Sequence, residues 1–145
     1  MKKTTVLHLL LILITVLALT SIAAAGGRVK FETTLTGAAE VPGPGDPDGS
    51  GTAKIWLSPK HSEVCWKLKV EGIAPATAAH IHVGSTTVAG PVVVALSPPT
   101  SGTSKGCASV DPALISAIIE NPEQYYVNVH NADFPAGALR GQLSD

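Results

Sequence analysis

Glu63-Val64-Cys65-Trp66-Lys67-Leu68-Lys69-Val70 alternates between polar and largely apolar positions. Val64, Trp66, Leu68 and Val70 form one face, and Glu63, Cys65, Lys67 and Lys69 form the other. A period of two puts successive side chains on opposite sides of an extended backbone. The stretch therefore reads as a strand with one face on a core and the other toward water. The same period recurs on both sides of it. Val29–Leu35 sets Phe31, Thr33 and Leu35 against Lys30, Glu32 and Thr34, and Ala53–Leu57 points Ala53, Ile55 and Leu57 one way. Downstream come Ala78–Val83, the apolar run Val92–Leu96, Thr103–Val110, Tyr125–His130 and Ala138–Leu143. Together these make about eight short strands between Gly/Pro-rich turns, of which Pro42 to Gly51 is the longest. The pattern predicts an all-β sandwich or barrel. One segment departs from it. From about 111 to 121 the spacing is helical, with Asp111 as cap, Pro112 at the first position and Pro122 as terminator. Leu114, Ile115, Ile118 and Ile119 supply the stripe that packs on the sheet.

The 145 residues suit one domain, and charged residues make up only 14%, against about 25% in an average globular chain. With ten basic and eleven acidic groups, the chain is neither a charged disordered tail nor a strongly cationic nucleic-acid binder. Lys2 and Lys3 precede an apolar run, Val6 to Ala18, and small residues at Ala23 and Ala25. Positive start, apolar stretch and small-residue exit are the parts of a signal peptide over residues 1–25, cleaved near Ala25. A retained membrane anchor is the competing reading, but the run falls short of the ~18–20 residues that span a bilayer. The mature domain then runs over residues 26–145 with no membrane span, and is secreted, periplasmic or at the cell surface. Loss of Lys2 and Lys3 takes the formal charge from −1 to −3.

Export gives meaning to the two cysteines, Cys65 and Cys107. In an oxidising compartment they read first as one disulfide, and second as thiolate metal ligands. Closing a loop of about 43 residues contributes roughly 3–4 kcal/mol in the chain-entropy model.

His80-Ile81-His82 puts two imidazoles on one strand face, roughly 7 Å apart along the chain. His130 ends Tyr125–His130, where Val127 and Val129 take the core face, so Asn128 and His130 point away from it. If the last two strands form a hairpin around Asn131 to Gly137, Val127 and Val129 must share a face with Leu139 and Leu143, so paired numbers sum to an even value, such as Val129 with Leu139. That parity brings Arg140 onto the face of Asn128 and His130. Three neutral imidazoles suit copper or zinc, not calcium or magnesium. The plainer alternative is three histidines hydrogen-bonded on a half-exposed sheet. His61 reads as a solvated turn residue. Asp46-x-Asp48-Gly49 resembles the start of a calcium loop, but it lacks the far Glu and is explained as a turn. No nucleophile elbow or phosphate-binding glycine loop is present.

The segments Ala79-His80-Ile81-His82-Val83-Gly84, Tyr125-Tyr126-Val127-Asn128-Val129-His130 and Arg140-Gly141-Gln142-Leu143, with Phe31 to Pro42 at the front, resemble the CHRD domain, named after chordin. The resemblance covers residues 29–143. It implies an immunoglobulin-like Greek-key β-sandwich or barrel with a limited likeness to copper/zinc superoxide dismutases. In chordin the domain belongs to an extracellular antagonist of growth-factor signalling. This chain has none of the accompanying cysteine-rich modules, so that activity is not implied. The dismutase likeness implies a copper site, with zinc as second choice, at His80, His82 and His130, with Arg140 and Asn128 behind it and Arg140 steering anions. The interval from Gly84 to Tyr125 contains no histidine, so a two-metal site is not expected. The expected function is a non-catalytic extracellular binding module, its partner an extracellular protein and not a nucleic acid. A metal enzyme of superoxide or peroxide chemistry and a metal-free interaction module are the alternatives.

Overall fold

The computed structural model describes residues 27–144, so the leader expected over residues 1–25 lies outside the described residues. The strands are β1 (Val29–Thr36), β2 (Ser50–Ser58), β3 (Glu63–Glu71), β4 (Ala76–Val83), β5 (Val92–Leu96), β6 (Thr103–Ser109), β7 (Tyr125–Asn131) and β8 (Leu139–Gln142). Among the described residues one α-helix, α1 (Pro112–Glu120), falls between β6 and β7. Among the described residues no helix is long and apolar enough to cross a membrane.

All eight strands belong to one antiparallel sheet in the order β5-β4-β7-β8-β1-β2-β3-β6. The sheet curls until its two edges approach each other, where Ser104 Oγ donates to the Ser97 carbonyl at 2.7 Å. Inward-facing residues of every strand meet in the interior. Leu35, Ile55, Leu57, Val64, Leu68, Ile81, Val127 and Leu139 are fully buried there. The alternation read from the sequence is thus the inside and outside of a nearly closed barrel.

Two local features differ from or refine that reading. β2 begins at Ser50, inside the stretch expected to be turn. Gly51 pairs with Leu35 on one side and Val70 on the other, so two ladders extend the strand into glycine-rich sequence. α1 covers one end of the barrel. The Asp111 carboxylate accepts from the Ala113 amide at 2.8 Å, Pro112 occupies the first turn, and Ile115 and Ile118 are wholly buried. Leu114 and Ile119 flank them, partly buried against the same core.

Cys65 and Cys107 are directly opposed across β3 and β6 and form a disulfide. β6 is a sheet edge held by hydrogen-bonded pairing to β3 alone. The covalent link therefore pins one of the two edge strands of the sheet. On the inner face of the same pair, the Trp66 ring lies over Gly106, where an added Cβ would come 2.6 Å from the ring. Replacing both cysteines by serine is expected to lower the unfolding free energy by about 3–4 kcal/mol. Denaturant titration under oxidising conditions checks this, and an unchanged midpoint would show that the link does not stabilise the fold.

Candidate metal centre

β4, β7 and β8 lie side by side, and their outward positions line up in rows. His82 pairs with Tyr126, which pairs with Gln142. His80 pairs with Asn128, which pairs with Arg140. His130 sits opposite Ala78, diagonal to His80. The expected parity is observed: Val129 pairs with Leu139 and Asn128 with Arg140. It carries all five outward residues named from the sequence onto one polar face.

Within that face the three imidazoles converge. Each can offer one ring nitrogen such that the three nitrogens lie within 4.8 Å of one another. Ring centroids are 5.4 Å apart for His80 and His82, and 5.1 Å for His80 and His130. Backbone carbonyls orient two of the rings. His82 Nδ1 donates to the Gly90 carbonyl at 2.9 Å, and His130 Nδ1 donates to the Pro135 carbonyl at 3.1 Å. A neutral imidazole that donates from Nδ1 carries its lone pair on Nε2. His130 Nε2 uses that lone pair to accept from His80 Nδ1 at 3.2 Å. His82 Nε2 is buried and has no hydrogen-bond partner. Burial lowers the proton affinity of all three rings below the ordinary histidine value. The neighbouring His130 and His82 add to this at His80, and Arg140 adds to it at His82. The rings are therefore neutral near pH 7, the form that ligates metals.

Behind the cluster stands a stack that the sequence did not reveal. The His82 ring lies parallel to Tyr126, with 4.9 Å between centroids and 9° between planes. The Arg140 guanidinium sits 3.5 Å above the Tyr126 centroid. Arg140 is only 1% exposed. Its Nη1 and Nη2 donate to the Val88 and Ser85 carbonyls, and Gln142 Nε2 donates to the Gly84 carbonyl. The Tyr126 hydroxyl accepts from the Gly90 amide at 3.0 Å. These bonds fasten the loop over 84–91, whose Gly90 carbonyl in turn orients His82. An added Cβ on Gly90 would collide with the Val83 carbonyl, so only glycine lets this loop return so close to β4. Arg140 thus sits where parity puts it, with contacts that brace the loop. Asn128 faces the same way but donates from Nδ2 to Glu40 at 2.6 Å.

Glu40 and Tyr126 were not anticipated. Tyr126 shares its parity with Asn128 and His130, and that signal was available along β7. Glu40 carries no such signal. It lies in the turn-rich stretch after β1 and becomes a buried neighbour of Asn128 only when the chain folds over β8, with the Asp46 amide bonded to the Ala138 carbonyl. His61 stays exposed, paired with Ser58. The second group of ligand-type side chains, Glu63 with Cys65 and Cys107, has both sulfurs in the disulfide, which closes the thiolate reading. Asp46 Oδ1 accepts from the Asp48 amide, as expected of a turn.

The CHRD domain family model matches residues 31–143. No curated protein and no solved structure matches the chain.

Burial raises the Glu40 carboxyl to about 7, although the Asn128 amide and Arg140 pull it down. A carboxyl raised on folding favours the folded state when protonated. Its contribution is full below the unfolded value near 4.5 and is lost as pH rises toward 7. Glu40→Gln keeps an acceptor for Asn128 and removes the charge. It is expected to stabilise the protein by about 2–3 kcal/mol at pH 8 and to leave it little changed at pH 4. Denaturant titrations at the two pH values check the sign, and a variant less stable at pH 8 contradicts the assignment.

Proposed function

The chain belongs to the CHRD domain family, and we propose that this member is an exported, non-catalytic binding module holding one copper ion, or zinc as second choice, on His80, His82 and His130. The observation that carries the reading is the convergence of three imidazole nitrogens, each within 4.8 Å of the others. Two nitrogens bound to one ion at ~2.0–2.1 Å stand about 3–3.5 Å apart. The 3.2 Å between His80 Nδ1 and His130 Nε2 falls in that range. Moving the His80 proton from Nδ1 to Nε2 turns this hydrogen bond into two free lone pairs. The unpartnered, buried His82 Nε2 is the kind of atom a cation satisfies.

The carbonyl partners of His82 and His130 hold their tautomers, as ligand histidines require. An all-imidazole set favours copper over zinc by the general affinity order. Copper would supply one-electron chemistry when bound. The protein's own part is to present the rings and to keep His82 against Tyr126. Export is supported by the N-terminal sequence pattern, and the disulfide suits an oxidising compartment.

Titration of the purified protein with Cu(II), followed by calorimetry and electron paramagnetic resonance, is expected to show one ion per chain with nitrogen ligation. His80→Ala with His82→Ala should reduce binding to background while circular dichroism stays native, and His61→Ala should bind as the parent does. Unchanged metal content in the double variant rules out this site. A superoxide assay on the copper-loaded protein separates carrier from enzyme.

A further inference from the structure

The opposite side of the barrel carries a feature independent of the histidines. Of the eight lysines and arginines among the described residues, Arg28, Lys30, Lys54, Lys67, Lys69 and Lys105 share the outer face of β1, β2, β3 and β6. Three of them form a row. Lys54 pairs with Lys67, which pairs with Lys105. Adjacent strands are ~4.8 Å apart, so like charges directly opposed repel and destabilise the sheet. Glu32 bonds Lys54 and Lys30, Glu63 bonds Arg28, and Glu71 bonds Lys69. Lys67 and Lys105 have no acidic partner among the described residues, and both are exposed. This positive field stands on a chain whose net charge is −1.

Beside the lysine row runs a second row, Trp56 with Cys65 and Cys107. The two rows enclose a groove of about 540 Å³, lined by Arg28, Trp56, Cys65, Lys67, Lys105 and Cys107. Its floor is a half-buried indole and a disulfide, and its flank is cationic. Such a groove suits a ligand that offers a flat apolar ring face and repeated negative charge.

We propose that this groove binds a linear acidic polysaccharide, with a sugar ring against Trp56 and its carboxylate or sulfate groups on Lys67 and Lys105. Nucleic acid fits less well. A single indole is not a stacking series, and the only arginine here, Arg28, is engaged by Glu63. A membrane surface also fits less well, because the exposed large apolar residues, Val88 and Val92, lie on or beside β5.

The test uses the purified protein with dextran sulfate, polygalacturonate and uncharged dextran as probes. Binding to the two acidic polymers is expected, weakening as salt rises, with none to dextran. Trp56 fluorescence should change on binding. Lys67→Ser with Lys105→Ser should weaken both interactions at least tenfold, and Lys60→Ser, away from the face, should not. Trp56→Ala should weaken polysaccharide binding but leave binding of inorganic polyphosphate unchanged. His80→Ala with His82→Ala should leave all of this intact, so the fate of the metal site is read separately. Equal losses from Lys60→Ser and from the double lysine variant, equal competition by duplex DNA or phosphatidylserine vesicles, or no binding to either acidic polymer overturns the proposal.

Discussion

Val127 and Val129 are buried between Ile81 and Ala79 on one neighbouring strand and Leu139 on the other, and the placement of the histidines follows from that burial. A slip of one residue in either pairing would turn these side chains to water and carry Asn128 and His130 into the core. Each buried Val or Ile contributes roughly 1.5–3 kcal/mol. A slipped register would lose several such terms at once and would also bury unpaired polar groups. The apolar face therefore determines the register, and the register determines which polar side chains meet.

The polar side of these three strands tolerates groups that a sheet surface seldom holds. A nearly inaccessible guanidinium is stable there because each exposed demand is met. Carbonyls of the 84–91 loop accept hydrogen bonds from it, and the face of Tyr126 takes part of its charge. The imidazoles meet the same burial by staying neutral. Glu40 meets it by holding its proton to higher pH. Charge is thus admitted at Arg140 and resisted at the three rings, so the imidazoles stay neutral and keep their lone pairs.

The two outer faces of the barrel differ in chemistry because they differ in strand composition. β4, β7 and β8 carry imidazole, amide and one braced arginine. β1, β2, β3 and β6 carry lysines, an indole and the disulfide. The core between them is common to both, so a change on one face need not be transmitted to the other.

Much of this was legible beforehand. Alternation in β3 and β7, the capped helix at Asp111 and the parity that joins Arg140 to His130 are local or nearly local properties. They depend on side-chain period and backbone stereochemistry alone. The sequence by itself therefore determined the strands, the all-β class, the helix and the outward side of each histidine. It did not determine that β4 lies beside β7, 50 residues away along the chain between His80 and His130, nor that the 84–91 loop returns to hold His82. Glu40 could not have been placed at all. Those facts depend on which strands become neighbours when the sheet curls on itself. That choice is made by the summed burial of the whole interior and by glycines at close approaches, and no single stretch of sequence contains it.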